Sequence, residues 1–174
     1  IRNNGAKIGS IMKCKITAAD HYDLYGEILE SNRRFMENQL PLFRRRIAEG
    51  RIRDCHGDLH LQHICLGEEI LIFDCIEFNS SFRYTDTSAD VGFLAMDLDA
   101  HGRKDFSDLF VSEYLRLSKD DGMHALLDYY KCYRANVRAK IAAIEWAGGG
   151  GKGEEERQRI DRYTLLASKY AKSL

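Results

Sequence analysis

Residues 54 to 79 read Asp-Cys-His-Gly-Asp-Leu-His-Leu-Gln-His-Ile-Cys-Leu-Gly-Glu-Glu-Ile-Leu-Ile-Phe-Asp-Cys-Ile-Glu-Phe-Asn. Asp58 sits in a short polar loop with His56, His60 and His63 around it, and Asp74 closes the apolar run that follows. Residues 64–66 and 70–73 are short and rich in β-branched or large side chains. Gly67-Glu68-Glu69 between them has the length and the glycine of a tight hairpin connection. Folding that hairpin brings Asp58, before its first strand, close to Asp74, after its second. Two converging carboxylates on rigid backbone suit a magnesium-dependent phosphoryl transfer. One orients and deprotonates the acceptor hydroxyl, and the other holds the metal on the nucleotide phosphates.

The run His56-Gly57-Asp58-Leu59-His60-Leu61-Gln62-His63 resembles the catalytic loop of the aminoglycoside phosphotransferase and choline kinase families, which reads H-G-D-x-H-x-x-N. Ile72-Phe73-Asp74 resembles their metal-binding segment, I-D-F or I-D-W. Tyr84-Thr85-Asp86-Thr87-Ser88-Ala89-Asp90-Val91 resembles the D-x-x-x-D-L stretch downstream of it. The three occur in the family's order, and the likeness covers roughly residues 20 to 145. It implies a mainly α fold (α+β overall), the helical C-lobe of a protein-kinase-like fold, with a small β-hairpin carrying the catalytic and metal-binding loops. It implies ATP and Mg2+ as cofactors and a small-molecule hydroxyl as acceptor. Asp58 then takes the place of the catalytic base, with His56 and His60 shaping its loop by hydrogen bonding. Asp74 and His63 take the metal and nucleotide positions, and Asp90 takes that of the acidic residue supporting the loop. His63 departs from the family asparagine, and magnesium prefers oxygen donors to imidazole nitrogen.

At 174 residues the chain has the length of one domain with a proper core. Its 26 basic and 27 acidic residues nearly balance, so nothing points to nucleic acid or a membrane surface as partner. No apolar run approaches bilayer length and no signal peptide is visible. Five scattered cysteines suit a reducing cytosol, and the expected location is cytoplasmic. Without an initiator methionine the chain is expected to start as a fragment or a processed product. No G-x-G-x-x-G precedes the Asp58 motif, so the nucleotide lobe of such a kinase is expected outside this chain, as a missing N-terminal lobe or fused domain. On that reading the chain by itself is inactive.

Residues 1–19 read as a linker or the end of such a lobe, and residues 20–147 as the helical lobe. The spacing predicts helices over 20–29 and 32–48, with a break or kink at Pro41 and a stop at Gly50. Arg44-Arg45-Arg46 reads as a solvated face. Residues 80–88 read as loop. Further helices are expected over 90–101, 106–117 and 123–146, then a glycine-rich linker at 148–153 and a closing helix over 154–174. Val91, Leu94, Ala95 and Leu98 offer the core face of the helix at 90–101.

Glu77 and Asn79 read equally as additions to the metal site or as surface. Arg134 and Arg138, one turn apart beside Tyr130 and Tyr133, read as packing and ion pairing. Cys55, Cys65 and Cys75 together with the three histidines invite a zinc reading, but Cys65 and Cys75 are expected in the core and no C-x-x-C pair exists, so zinc is disfavoured. Two alternatives stand beside the kinase reading: a degenerate binding or regulatory module, and a metal-dependent phosphoesterase suggested by Gly57-Asp58-Leu59-His60. The latter lacks the D-x-H and G-N-H segments that such an enzyme also needs.

Overall fold

The apolar spacing of Leu24, Ile28 and Phe35 belongs to one helix. In this computed structural model, which describes residues 19–148 and 153–174, α1 (Ala19–Asn38) runs unbroken through the expected gap at residues 30 and 31. The break falls at Gln39, and α2 (Leu40–Ala48) carries Pro41 in its first turn. A proline is tolerated there because its missing N–H would have had no helical partner. Gly50, at a φ of 67°, follows the end of α2. All but the last residue of the linker or lobe end expected over residues 1–19, and residues 149–152 of the glycine run, lie outside the described residues.

The stretch expected to be loop after the hairpin is ordered. It contains α3 (Ser80–Arg83), β4 (Tyr84–Asp86) and the start of α4 (Thr87–Ala100), which begins at Thr87 rather than Asp90. β4 pairs antiparallel with β1 (Ile52–Asp54), with Arg53 opposite Thr85. Three-residue strands with solvent on much of their surface carry no alternating hydrophobic pattern, so the sequence gives no sign of this pair. The hairpin forms as expected from β2 (Ile64–Leu66) and β3 (Ile70–Ile72), with Cys65 opposite Leu71. Its side chains are nevertheless largely exposed. Cys65 is among them, and Cys75 is half-buried, so neither belongs to the core.

α5 (Lys104–Ser118) spans the expected helix at 106–117. The long helix expected from Met123 divides into a 3-10 turn, Asp121–Leu126, and α6 (Leu127–Ala147). α7 (Glu154–Ala171) opens on Glu154, Glu155 and Glu156 and has Lys169 in its last turn, so its charges complement the helix dipole at both ends.

The fold is mainly helical, and α4 is its axle. Every residue from Ser88 to Asp97 is buried. Phe93 and Met96 join Ile28 of α1, Cys132, Ala135 and Ala139 of α6, and Tyr163, Ala167 and Tyr170 of α7 in one cluster. Val91 and Ala95 join Val111, Met123 and Leu127 in a second. Val91, Leu94 and Ala95 are buried as expected, while Leu98 is half-buried. α4 and α6 approach closely at Gly92, where a Cβ would stand 3.0 Å from the Tyr130 Cβ. Among the described residues no helix is long and apolar enough to cross a membrane.

One part of the arginine run is not a solvated face. Arg46 has no exposed surface, while Arg44 and Arg45 are both exposed. Its guanidinium donates to both oxygens of Asp86 (2.6 and 2.7 Å), to both of Asp120 (2.7 and 2.9 Å) and to Ser88 Oγ (2.7 Å). Asp86 also accepts the Ser88 N–H at 2.8 Å, capping α4. The end of α2, the start of α4 and the turn before α6 are thereby pinned at one point.

Candidate functional site: a histidine-rich loop held between two aspartates

One face of α4 carries the loop. Asp90, Phe93 and Asp97 follow one another at successive helical turns. The Asp90 carboxylate accepts the N–H of His56 at 2.6 Å and that of Gly57 at 3.0 Å. Asp97 accepts the Leu61 N–H at 3.0 Å and the Tyr163 hydroxyl at 2.9 Å. Between them the His60 ring lies 5.4 Å from that of Phe93. Gly57 has a φ of 83°, and a Cβ there would come within 3.1 Å of Ile76 Cδ1 and the Phe82 carbonyl oxygen. Both the turn and the close approach therefore require glycine.

His56 stitches this loop to the segment carrying Asp74. Its Nδ1 accepts the Asp58 N–H at 3.3 Å, which leaves the proton on Nε2, and Nε2 donates to the Phe73 carbonyl at 2.8 Å. Two backbone bonds run parallel to it, from Ile76 N–H to His56 O (3.0 Å) and from Phe73 N–H to His63 O (3.1 Å). Asp74 itself has a φ of 60°, unusual for a residue with a side chain, and its carboxylate is largely exposed.

The remaining imidazoles lie between the carboxylates. His60 Nδ1 accepts the Gln62 N–H at 3.3 Å, so its Nε2 carries the proton and faces Asp58 Oδ2 at 3.5 Å. His63 Nδ1 lies 2.9 Å from the Asp58 carbonyl oxygen and donates to it. Its Nε2 faces Asp74 Oδ2 at 3.3 Å, and its ring packs 4.0 Å from that of His60. The structure thus brings His56, Asp58, His60, His63, Asp74 and Asp90 into one continuous network. Burial raises the affinity of Asp58 for a proton, but the bond from His60 and the nearby positive charge of Arg134 help to outweigh it and hold its pKa low. Asp90 goes the other way: burial outweighs its two backbone donors and raises its pKa.

Arg134 lies over the Phe93 ring, 4.6 Å from its centroid, close enough to act on the charges of Asp58 and Asp90. Arg138 lies over Tyr163 and donates to Gln62 Oε1 at 3.3 Å. Asn79 caps α3 by accepting the Ser81 N–H, and Glu77 is exposed. Burial pushes the Cys55 thiol up to about 11, so it is neither a thiolate ligand nor a nucleophile at neutral pH.

Potential ligand atoms of Asp58, His60 and His63 lie within 4.8 Å of one another. The hydrogen-bond pattern, however, places protons on the His60 nitrogen facing Asp58 and on His63 Nδ1. The free imidazole lone pair is His63 Nε2, on the Asp74 side. A pairing of imidazole nitrogen with one carboxylate is not the all-oxygen environment that magnesium selects, so the donor set does not match Mg2+.

Sequence reading missed Asp97 and Arg46. Asp97 had a signal, since it lies two turns from Asp90 on the same helix face. Arg46 had none, because its partners are 40 and 74 residues away in the chain.

The chain is 44% identical over 138 residues to an uncharacterized protein of Mycobacterium tuberculosis and, to the same degree, to an uncharacterized protein of Mycobacterium bovis. Each match covers 78% of this chain and 27% of the relative, so the chain spans about a quarter of the length of the curated relatives it matches. No family model matches the chain, and no solved structure does.

Proposed function

We propose that this chain is the helical lobe of an aminoglycoside-phosphotransferase-like kinase, and that the whole protein transfers the γ-phosphoryl group of ATP to a hydroxyl of a small molecule. The observation that carries the reading is the position of Asp58. Its loop is clamped at both ends by carboxylates of α4 and tied through His56 to the Asp74 segment, while its own carboxylate is ionised and partly open to solvent.

In this reading the Asp58 carboxylate takes the proton of the acceptor hydroxyl as that oxygen bonds to the γ-phosphorus and ADP departs. Fixed geometry supplies much of the effect, because phosphoryl transfer depends on alignment and charge neutralisation more than on covalent participation by the protein. His60 aims the carboxylate, and His56 fixes its distance from the Asp74 segment. No step is assigned to magnesium, which the donor set does not match. Asp58→Asn in the full-length protein is expected to abolish ATP-dependent phosphorylation while leaving the circular dichroism spectrum and melting temperature near those of the parent. Unchanged turnover would reject the reading.

His63 favours one other reading, a kinase-like module that binds ligands without turnover. Steady ATP turnover by the full-length protein in the presence of any divalent ion would exclude it.

A further inference from the structure

We infer that His63 Nε2 and Asp74 Oδ2 bind a first-row transition-metal dication, of the Mn2+, Co2+ or Zn2+ kind, rather than Mg2+. The role of the ion in turnover rests on the phosphotransferase reading; its binding rests on the geometry alone.

The first ground is the tautomer of His63. Its Nδ1–H is given to the Asp58 carbonyl at 2.9 Å, so in the neutral ring Nε2 is an unshared lone pair. That atom faces a carboxylate oxygen at 3.3 Å, so in the neutral ring two acceptors confront each other and only a proton or a metal ion joins them. A cation resolves the confrontation. Donation of the other ring nitrogen to a backbone carbonyl is also the arrangement that orients metal-bound imidazoles generally.

The second ground is distance. Ligands bound at about 2.0–2.2 Å in tetrahedral array are separated by about 3.3–3.6 Å. The separation of 3.3 Å between His63 Nε2 and Asp74 Oδ2 is one edge of such a polyhedron. The third is donor chemistry. Imidazole favours ions of the manganese-to-zinc series, whereas magnesium keeps to oxygen and gives up water reluctantly. With two protein ligands the remaining positions stay open to water or to phosphate oxygens. Asp74 is well placed for this, since its carboxylate is 73% exposed.

The test uses the full-length protein stripped of metal with chelator. Mn2+ is titrated by calorimetry, and its electron spin-echo spectrum is examined for nitrogen modulation from a directly bound imidazole. The expected result is bound Mn2+ with nitrogen modulation, displaced by Zn2+ and not by an equal concentration of Mg2+. His63→Asn should lose the modulation and bind Mn2+ at least about tenfold more weakly, as loss of a nitrogen donor implies. Asp74→Asn should lose the same binding, and with its side chain exposed it leaves the packing intact. Absence of Mn2+ binding, Mn2+ without nitrogen modulation, or modulation that survives His63→Asn would each overturn the inference. Nitrogen-coordinated metal without phosphorylation under any metal would uphold it and reject the kinase reading. Magnesium-supported phosphorylation with no nitrogen modulation would do the reverse.

Discussion

At the scale of single residues, three imidazoles in one loop perform three different tasks, each set by the partner of its other nitrogen. His56 spans from the Asp58 amide to the Phe73 carbonyl, His60 is held by the Gln62 amide to face Asp58, and His63 turns its lone pair outward to Asp74. The motif already separates His56 and His60, expected to shape the loop by hydrogen bonding, from His63 at the metal position, but the partner of each ring nitrogen is not legible in the sequence. What the motif does carry is the spacing that puts two carboxylates at either end of a hairpin. Removing the His56 bridge frees the Asp58 loop from the Asp74 segment without opening the core. On the phosphotransferase reading, His56→Ala is therefore expected to lower kcat of the full-length protein by about 10–100-fold, the usual effect of losing an orienting partner. The urea midpoint should shift little. A large loss of stability with unchanged kcat would show that the bridge is structural.

At the scale of elements, helices were legible wherever one face was apolar, and their ends were legible only where proline or glycine marked them. α4 begins earlier than expected because Asp86 caps it, and Asp86 in turn is fixed by Arg46. That pairing crosses 40 residues of chain, and no local pattern announces it. It also makes a sharp prediction. Arg46 is fully buried between Asp86 and Asp120, so Arg46→Ala leaves two buried carboxylates without their cation. The expected loss is about 3–5 kcal/mol in urea unfolding, against about 0.5 kcal/mol or less for Arg45→Ala. The network also predicts a pH dependence. Burial raises the proton affinity of Asp120, but the bond and charge of Arg46 outweigh it and depress its pKa below the ordinary carboxylate value. Its contribution is then fully present above about pH 4, the unfolded value, and is lost as pH falls through the lower folded value. Asp120→Asn should flatten this part of the acid unfolding profile. An unaltered profile would assign the acid sensitivity to other carboxylates.

At the scale of the whole molecule, the site lies beside a surface too apolar to be left to water. Leu66, Ile70 and Phe78 are 79%, 69% and 83% exposed, and Leu71, Ile72, Phe73, Phe82 and Tyr84 add to the same region of hairpin and following loop. Exposed apolar side chains in this number offer a surface for another element to cover. The curated relatives supply a candidate, since about three quarters of their length lies outside the match. The phosphotransferase reading also requires a phosphate-binding loop, and no glycine-rich loop precedes Asp58 within these 174 residues. Both facts are accommodated if the remainder of the polypeptide closes over the hairpin and completes a nucleotide site there. Calorimetry with ATP and Mn2+ on this chain and on the full-length protein is then expected to give binding only for the longer protein. Asp74→Ala in the longer protein should remove it. Amide hydrogen exchange should report the closure directly, with residues 64–73 slowed in the full-length protein relative to this chain. Equal exchange in the two would show that the hairpin stays open. ATP binding by this chain alone would show that the nucleotide site needs no second lobe.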